Sequence, residues 1–377
     1  MLNTPDSVSQ ATDLSCWHIM PDDQSPMSAG DAVREVQFLH SPSLPALLEQ
    51  LQISLLVSTY QAGKLIAVGA RGGQLALSFH NFEHCMGIGV GPDRLAISGG
   101  QQIWTLRSMP DLVPKLEPAG QFDGCYLSRS SMFTGPIDTH ELAWSGDELW
   151  VVNTLFSCLC TVHPDYNFVP RWMPPFISAL APEDRCHLNG MAWDAGRPKF
   201  VTAMSETDTK EGWRPDKAHS GCVLEVPSGR VVARGLAMPH SPRWYQGNLW
   251  LLDSGRGQFL RLDPATGQTD IIGDLPGYTR GLAFHGSFAF VGLSRIRETS
   301  TFGGVPLAAR RETLKCGLAV IDMTTRACVA TLEFKSGVTE IFDLQVLPGT
   351  SHPALHGPHA ETDGQAPVWA VPSPRLA

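Results

Sequence analysis

The chain has 377 residues, 43% of them hydrophobic and 17% charged, with a formal net charge of −9. That composition suits a large buried core and excludes a disordered chain. The acidic balance and the lack of any long Lys/Arg cluster argue against nucleic acid or an anionic membrane surface as partner, and no apolar run is long enough to span a bilayer.

Residues 1–30 are polar and acidic, without the basic start and apolar core of a signal peptide, and read as a disordered segment of a cytoplasmic protein. Residues 31–53 form a lead-in, in which Leu44 to Leu51 reads as a short helix with Ser43 as N-cap and Pro45 in its first turn. Short apolar runs separated by turns follow from residue 54. Ser54 to Ser58, Lys64 to Val68 and Gln74 to Phe79 read as three strands with no inner strand before them. Met86 to Val90 then begins a unit that recurs at Glu141 to Trp144, His187 to Trp193, Ser241 to Trp244 and Arg280 to Phe284. With Val90, Trp144, Trp193, Trp244 and Phe284 set as equivalent, the period is about 40 to 55 residues, the size of a four-stranded propeller blade. After Trp244 the blade is complete. Leu249 to Leu252, Phe259 to Asp263 and Thr269 to Ile272 are its next three strands, and Pro264 to Gly267 is a tight turn.

Ile341 to Leu347 reads as an inner strand with no second strand after it. Pairing it with the N-terminal blade closes a ring and removes open sheet edges. The expected fold is therefore all-β, a six-bladed β-propeller over 54–349, closed by a C-terminal inner strand, with 350–377 as a flexible tail. The nine cysteines form no disulfide framework. Cys158 and Cys160 would share one strand face as small buried hydrophobes in a reducing compartment.

Common catalytic signatures are absent: no G-x-S-x-G, H-E-x-x-H, P-loop or G-x-G-x-x-G occurs, and Gly87, Gly89 and Gly91 read as strand glycines. The signal lies in the inner strands, which line a propeller's channel. Four residues before the anchors stand Met86, His140, Asn189, His240, Arg280 and, counted from Val346, Phe342. Six before stand His84, Asp138, His187, Met238, Tyr278 and Glu340. Alternation puts both sets on one face.

His140, His187, His240 and Glu340 would suit one divalent zinc, iron or manganese ion. Arg280 would orient an anionic group, Asp138 would shuttle a proton, and His84 and Asn189 would touch substrate. A water-filled polar channel without function accounts for the same residues. Two long loops, Ser205 to Ser220 and Ser294 to Lys315, would emerge where the inner strands begin.

The motifs Cys186 to Gly190, Met238 to Trp244, Leu252 to Gly255 and Glu340 to Gly349 resemble an uncharacterised bacterial family of conserved hypothetical proteins, over roughly residues 50–350. More distantly, Leu188 to Trp193 is similar to the Asn-Gly strand start of gluconolactonase- and regucalcin-like six-bladed propellers. That resemblance implies a channel metal with Asn189 as the one matching ligand. His140 and His240 stand where that group has carboxylates, which implies a softer metal than calcium. Two functions fit these readings. One is a metal-dependent enzyme acting on a small anionic or hydroxylated molecule in the channel; the other is a non-enzymatic propeller that binds a ligand or a protein across the loop face.

Overall fold

The structure, a computed structural model, describes residues 7–8, 35–296 and 303–372. It is a six-bladed β-propeller. Blade one holds Asp343–Pro348, Ile53–Thr59, Lys64–Arg71 and Gln74–Asn81 in that spatial order, so the C-terminal strand is innermost. Its register is Leu344 opposite Val57 and Leu347 opposite Ser54, the closure expected from the sequence. Blades two to six follow in chain order. Their inner strands are Ile88–Val90, Thr139–Ser145, Leu188–Asp194, Pro239–Tyr245 and Tyr278–His285.

The reason for a ring is visible in the core, which consists of separate apolar layers between neighbouring blades. Leu56, Ile88 and Ile97 fill the layer between blades one and two. Leu142, Cys158 and Cys160 lie between two and three, Val152 and Met191 between three and four, and Phe200 and Leu251 between four and five. Phe259 and Val291 lie between five and six. Leu55, Phe290 and Ile341 join six to one, with Leu44 and Leu48 of the helix Ser43–Leu51. Each sheet is apolar on both faces, so only closure covers the first and last.

Two expectations change. Pro42, not Ser43, occupies the N-cap, because the Ser43 hydroxyl donates instead to the Val329 carbonyl. The segment after Gly349 is not wholly a flexible tail: Pro353–His356 lies parallel to Gly124–Leu127 and covers the outer edge of blade two. The expected disorder of residues 1–30 falls outside the described residues except at Ser7–Val8, which pair with Leu39–His40. Phe38–His40 in turn covers the outer edge of blade six. No helix among the described residues is long and apolar enough to cross a membrane.

Each inner strand pairs on one side only, which leaves a row of backbone groups facing the axis. Charged side chains from alternate blades satisfy part of that row. Glu141 of blade three accepts the Met191 N–H of blade four at 2.6 Å. Asp343 of blade one accepts the Ile88 N–H of blade two at 2.9 Å. Arg243 of blade five donates to the Leu282 carbonyl of blade six at 2.7 Å. The three charges also meet one another: Arg243 pairs with Glu141 at 2.7 Å and lies 3.8 Å from Asp343. Six blades are thus tied at one level of the axis by one cation and two carboxylates.

A second tie repeats around the ring. A buried hydroxyl at the end of a second strand donates to a carbonyl at the start of the next blade's inner strand. Ser58 donates to Met86, Ser98 to Thr139 at 3.5 Å, Thr154 to Leu188 at 2.5 Å, Ser254 to Thr279 at 2.5 Å, and Ser294 to Ile341 at 3.1 Å. The close approach this demands explains Gly87. A Cβ there would stand 3.0 Å from the Glu141 Cα and the His140 carbonyl.

Replacing Arg243 by Met leaves two carboxylates buried without a cation, so stability to urea should fall by about 3–5 kcal/mol. A loss below about 1 kcal/mol, the scale of an exposed pair, would show that the triad does not hold the ring.

Candidate functional site

Four inner strands carry a register shift near their start, at Thr139/Leu142, Leu188/Gly190, His240/Arg243 and Thr279/Leu282. The residues leading into the inner strands of blades two to five have left-handed backbone, with φ of 49° at His84, 53° at Asp138, 49° at His187 and 52° at Met238. L-residues adopt this conformation at a cost, and bulges of this kind re-aim side chains. Here they let adjacent residues serve two levels of the axis. His140 belongs to the upper cluster while Glu141 joins the charged triad below; Phe342 and Asp343 divide likewise, just where the blade-one inner strand begins and without a register shift. Strict alternation put Glu141, Arg243 and Asp343 on the far face, which is why they escaped the sequence reading.

Of the histidines expected to converge, His140 and His187 are in ring contact. The His140 ring meets the His187 ring edge-on at 4.9 Å and the Phe342 ring at 5.1 Å. His240 is 2% exposed and stands edge-on to Tyr278 at 5.8 Å between ring centres. Both His140 and His240 are held well below the usual histidine range, by burial first and then by the Arg280 charge and by the repulsion that a second protonated ring beside His187 would bring.

Their tautomers follow from the interblade hydroxyls. His140 Nδ1 lies 3.1 Å from the Asp138 carbonyl and 2.7 Å from the Thr154 hydroxyl. The carbonyl only accepts, and the Thr154 proton is committed to Leu188, so Nδ1 carries the hydrogen. His240 repeats the arrangement, with the Met238 carbonyl at 2.9 Å and Ser254 Oγ at 3.0 Å. His187 Nδ1 lies 2.9 Å from Asp184 Oδ2, an acceptor again. None of the three has an Nε2 hydrogen bond among the described residues, so each offers a lone pair there.

Arg280 lies flat on Phe342, with Cζ 3.3 Å from the ring centre. Its Nη2 is buried without a hydrogen-bond partner, and no ion pair engages it among the described residues. Burial lowers its pKa, opposed by the fields of Tyr278, Glu340, Asp343 and Glu141. A recess of about 10 Å³, room for about one water, opens beside it between blades six and one, lined by Gln61, Tyr278, Arg280, Ser294, Arg295, Glu340 and Ile341.

The remaining expected residues are less central. Glu340 lines that recess with Arg280. Asn189 is buried, but its Oδ1 accepts from Thr202 at 2.6 Å while Nδ2 is unpartnered. His84 is half exposed and packs on Tyr60 at 5.0 Å. Asp138 reaches solvent; crowding by the surrounding chain, then the Asp184 charge, push its carboxyl up. Among the described residues no group of three or more His, Cys, Asp or Glu side chains is placed to hold a metal ion.

The two long loops meet at this end. Trp213 of the first, 2% exposed, packs with Val305, Leu307 and Leu314 of the second and with Met238 and Tyr278 of the inner strands. Arg297 and Glu298 of the second loop lie outside the described residues. Asp184, which no spacing rule had singled out, anchors the first loop to the channel: its Oδ2 also accepts from Trp213 Nε1 at 2.9 Å.

The sequence matches, over residues 42–355, the family described as Domain of unknown function (DUF4915). No curated protein sequence matches it significantly. Similar solved structures include a nidogen/laminin complex, at 11% identity and TM-score 0.48, covering 79% of this chain and 99% of that one. Another is a protein of unknown function from Bacteroides caccae, at 11% identity and TM-score 0.47, covering 78% and 98%. A catalytically inactive virginiamycin B lyase from Staphylococcus aureus, with quinupristin, has 11% identity and TM-score 0.36, covering 63% and 73%.

Acidification probes the neutral imidazoles. His80, outside the site, is pushed down to about 3 by burial, and His140 and His240 also lie well below 6.5. Below pH 6.5 the unfolded chain gains up to three protons that these folded sites refuse. Glu141 works in the opposite sense: burial and Asp343 push it up to about 7 against the pull of Arg243, so the folded form gains one proton first. From these four groups the net of up to two protons makes stability fall as pH drops from 6.5 towards 5.5, by about 2.7 kcal/mol per unit at its steepest, and His356, also held low by burial, adds in the same sense. Urea titrations at pH 7.5, 6.5 and 5.5 should show this fall, reduced by about one proton's slope in His240→Gln. A flat or rising profile on acidification would contradict it.

Proposed function

The chain belongs to the DUF4915 family, and from that premise we propose that its channel binds a small molecule carrying both an anionic group and hydroxyls. The observation that carries the reading is Arg280, a guanidinium with a buried, unpartnered Nη2 beside a recess. A buried cation without a direct counter-ion costs stability, and an incoming carboxylate or phosphate relieves that cost. The hydroxyls follow from the imidazoles. Three Nε2 lone pairs are acceptors, so the ligand must supply donors. The eight described cysteines, all unpaired, suit a reducing compartment, and we place the protein in the cytoplasm.

A divalent ion on His140, His187 and His240 is a second reading, supported by the same lone pairs and by the Nδ1 partners that orient each ring. The ligand-only reading expects sub-stoichiometric zinc, iron and manganese in protein purified without a histidine tag. A stoichiometric ion lost in His240→Ala would favour the second.

Thermal shift tests the anion site. Tartrate or glycerol phosphate, which combine charge and hydroxyls, should raise Tm. At about a hundred times Kd the stabilisation is about 2.7 kcal/mol. Acetate and glycerol, each lacking one feature, should do little, and Arg280→Met should abolish the response. A panel without effect, or a shift that survives in Arg280→Met, would overturn the proposal.

A further inference from the structure

Asp184 and His187 sit three residues apart in a turn of unusual backbone, with φ of 47° and 49°. The turn is held from both sides. Asp184 N–H donates to the Leu155 carbonyl of blade three at 2.8 Å, and Arg185 between them pairs with Asp208 of the long loop at 2.7 Å. The same loop delivers Trp213, whose ring lies 4.3 Å from the His187 ring and whose N–H donates to Asp184. One carboxylate therefore accepts from both His187 Nδ1 and Trp213 Nε1. A left-handed aspartate, an inserted loop and a buried tryptophan converge to fix one imidazole, and they leave its Nε2 free on the channel side. Of the three channel histidines His187 alone has a carboxylate partner; His140 and His240 use carbonyls and hydroxyls.

We propose that His187 is a general base that takes a proton from a hydroxyl of the bound ligand, with Asp184 as its positioning residue. The inference rests on the binding site argued above. In the step, the Nε2 lone pair forms an N–H bond, the O–H electron pair stays on the ligand oxygen, and the imidazolium is balanced by the Asp184 carboxylate. The ligand oxygen becomes the nucleophile of whatever bond change follows, and the proton can return to a leaving oxygen. Neither oxidant nor metal is needed. Asp138, expected to shuttle the proton, reaches solvent and is the less suited group.

Diethylpyrocarbonate at pH 7 reads the Nε2 lone pair directly. The nitrogen attacks a carbonyl, an N–C bond forms, a C–O bond breaks, and the departing ethyl carbonate takes up the proton released from Nδ1. Peptide mass spectrometry then gives a rate for each histidine. His187 should be acylated faster than buried His140 and His240. Asp184→Asn should slow His187 about ten-fold or more, and Asp184→Glu should restore most of the rate. Urea curves confirm that each variant is folded. An unreactive His187, an Asn variant as fast as wild type, or a Glu variant as slow as Asn would overturn the base. Tartrate added to the reaction separates the two claims. Asp184 dependence without protection upholds the base and overturns the anion site, whereas protection without Asp184 dependence overturns the base alone.

Discussion

Six inner strands each turn one unpaired edge toward a common axis, and those backbone groups must find partners or stay hydrated. The chain answers at two levels. Below, Glu141, Arg243 and Asp343 reach from alternate blades to the strands between them, so one ion cluster ties all six. Above, serine and threonine hydroxyls tie second strands to the next inner strand. Buried ion clusters are weak evidence for stability in themselves. This one is different in kind, because each carboxylate and the guanidinium also satisfies a backbone group of a neighbouring blade.

The same ties build the site. A hydroxyl that gives its proton to a neighbouring blade can only accept from anything else, so His140 and His240 must turn Nδ1–H toward it. A bond whose first effect is to join two blades therefore also decides which nitrogen faces the channel. Burial then keeps both rings neutral. The lower triad carries a formal charge of −1 when both carboxylates are ionised, and two of its members lend Arg280 a favourable field without closing on it. Architecture and recognition thus draw on one set of hydrogen bonds.

The ring was legible in the sequence because apolar strand starts recur and because Ile341 to Leu347 lacks a following strand. Alternation also found His140, His240, Arg280 and Phe342. It failed for Glu141 and Arg243 at bulges, where the register shifts, and a bulge leaves no reliable mark in a single sequence; Asp343 was missed because only one face was searched. Asp184 was missed for another reason. It lies in a turn outside any strand, and only the folded loop carrying Trp213 shows what its carboxylate does. Pro353–His356 escaped because its pairing with Gly124–Leu127 spans more than two hundred residues. Composition alone made that segment look like a tail.

The central claim is that burial and the interblade hydroxyls fix His140 and His240 as neutral, with hydrogen on Nδ1 and a lone pair on Nε2. Long-range proton–nitrogen correlation spectra of the histidine rings at pH 7 test it most directly. The account predicts Nδ1–H tautomers for His140 and His240. Signals of Nε2–H tautomers or of protonated imidazolium at these two residues would contradict it.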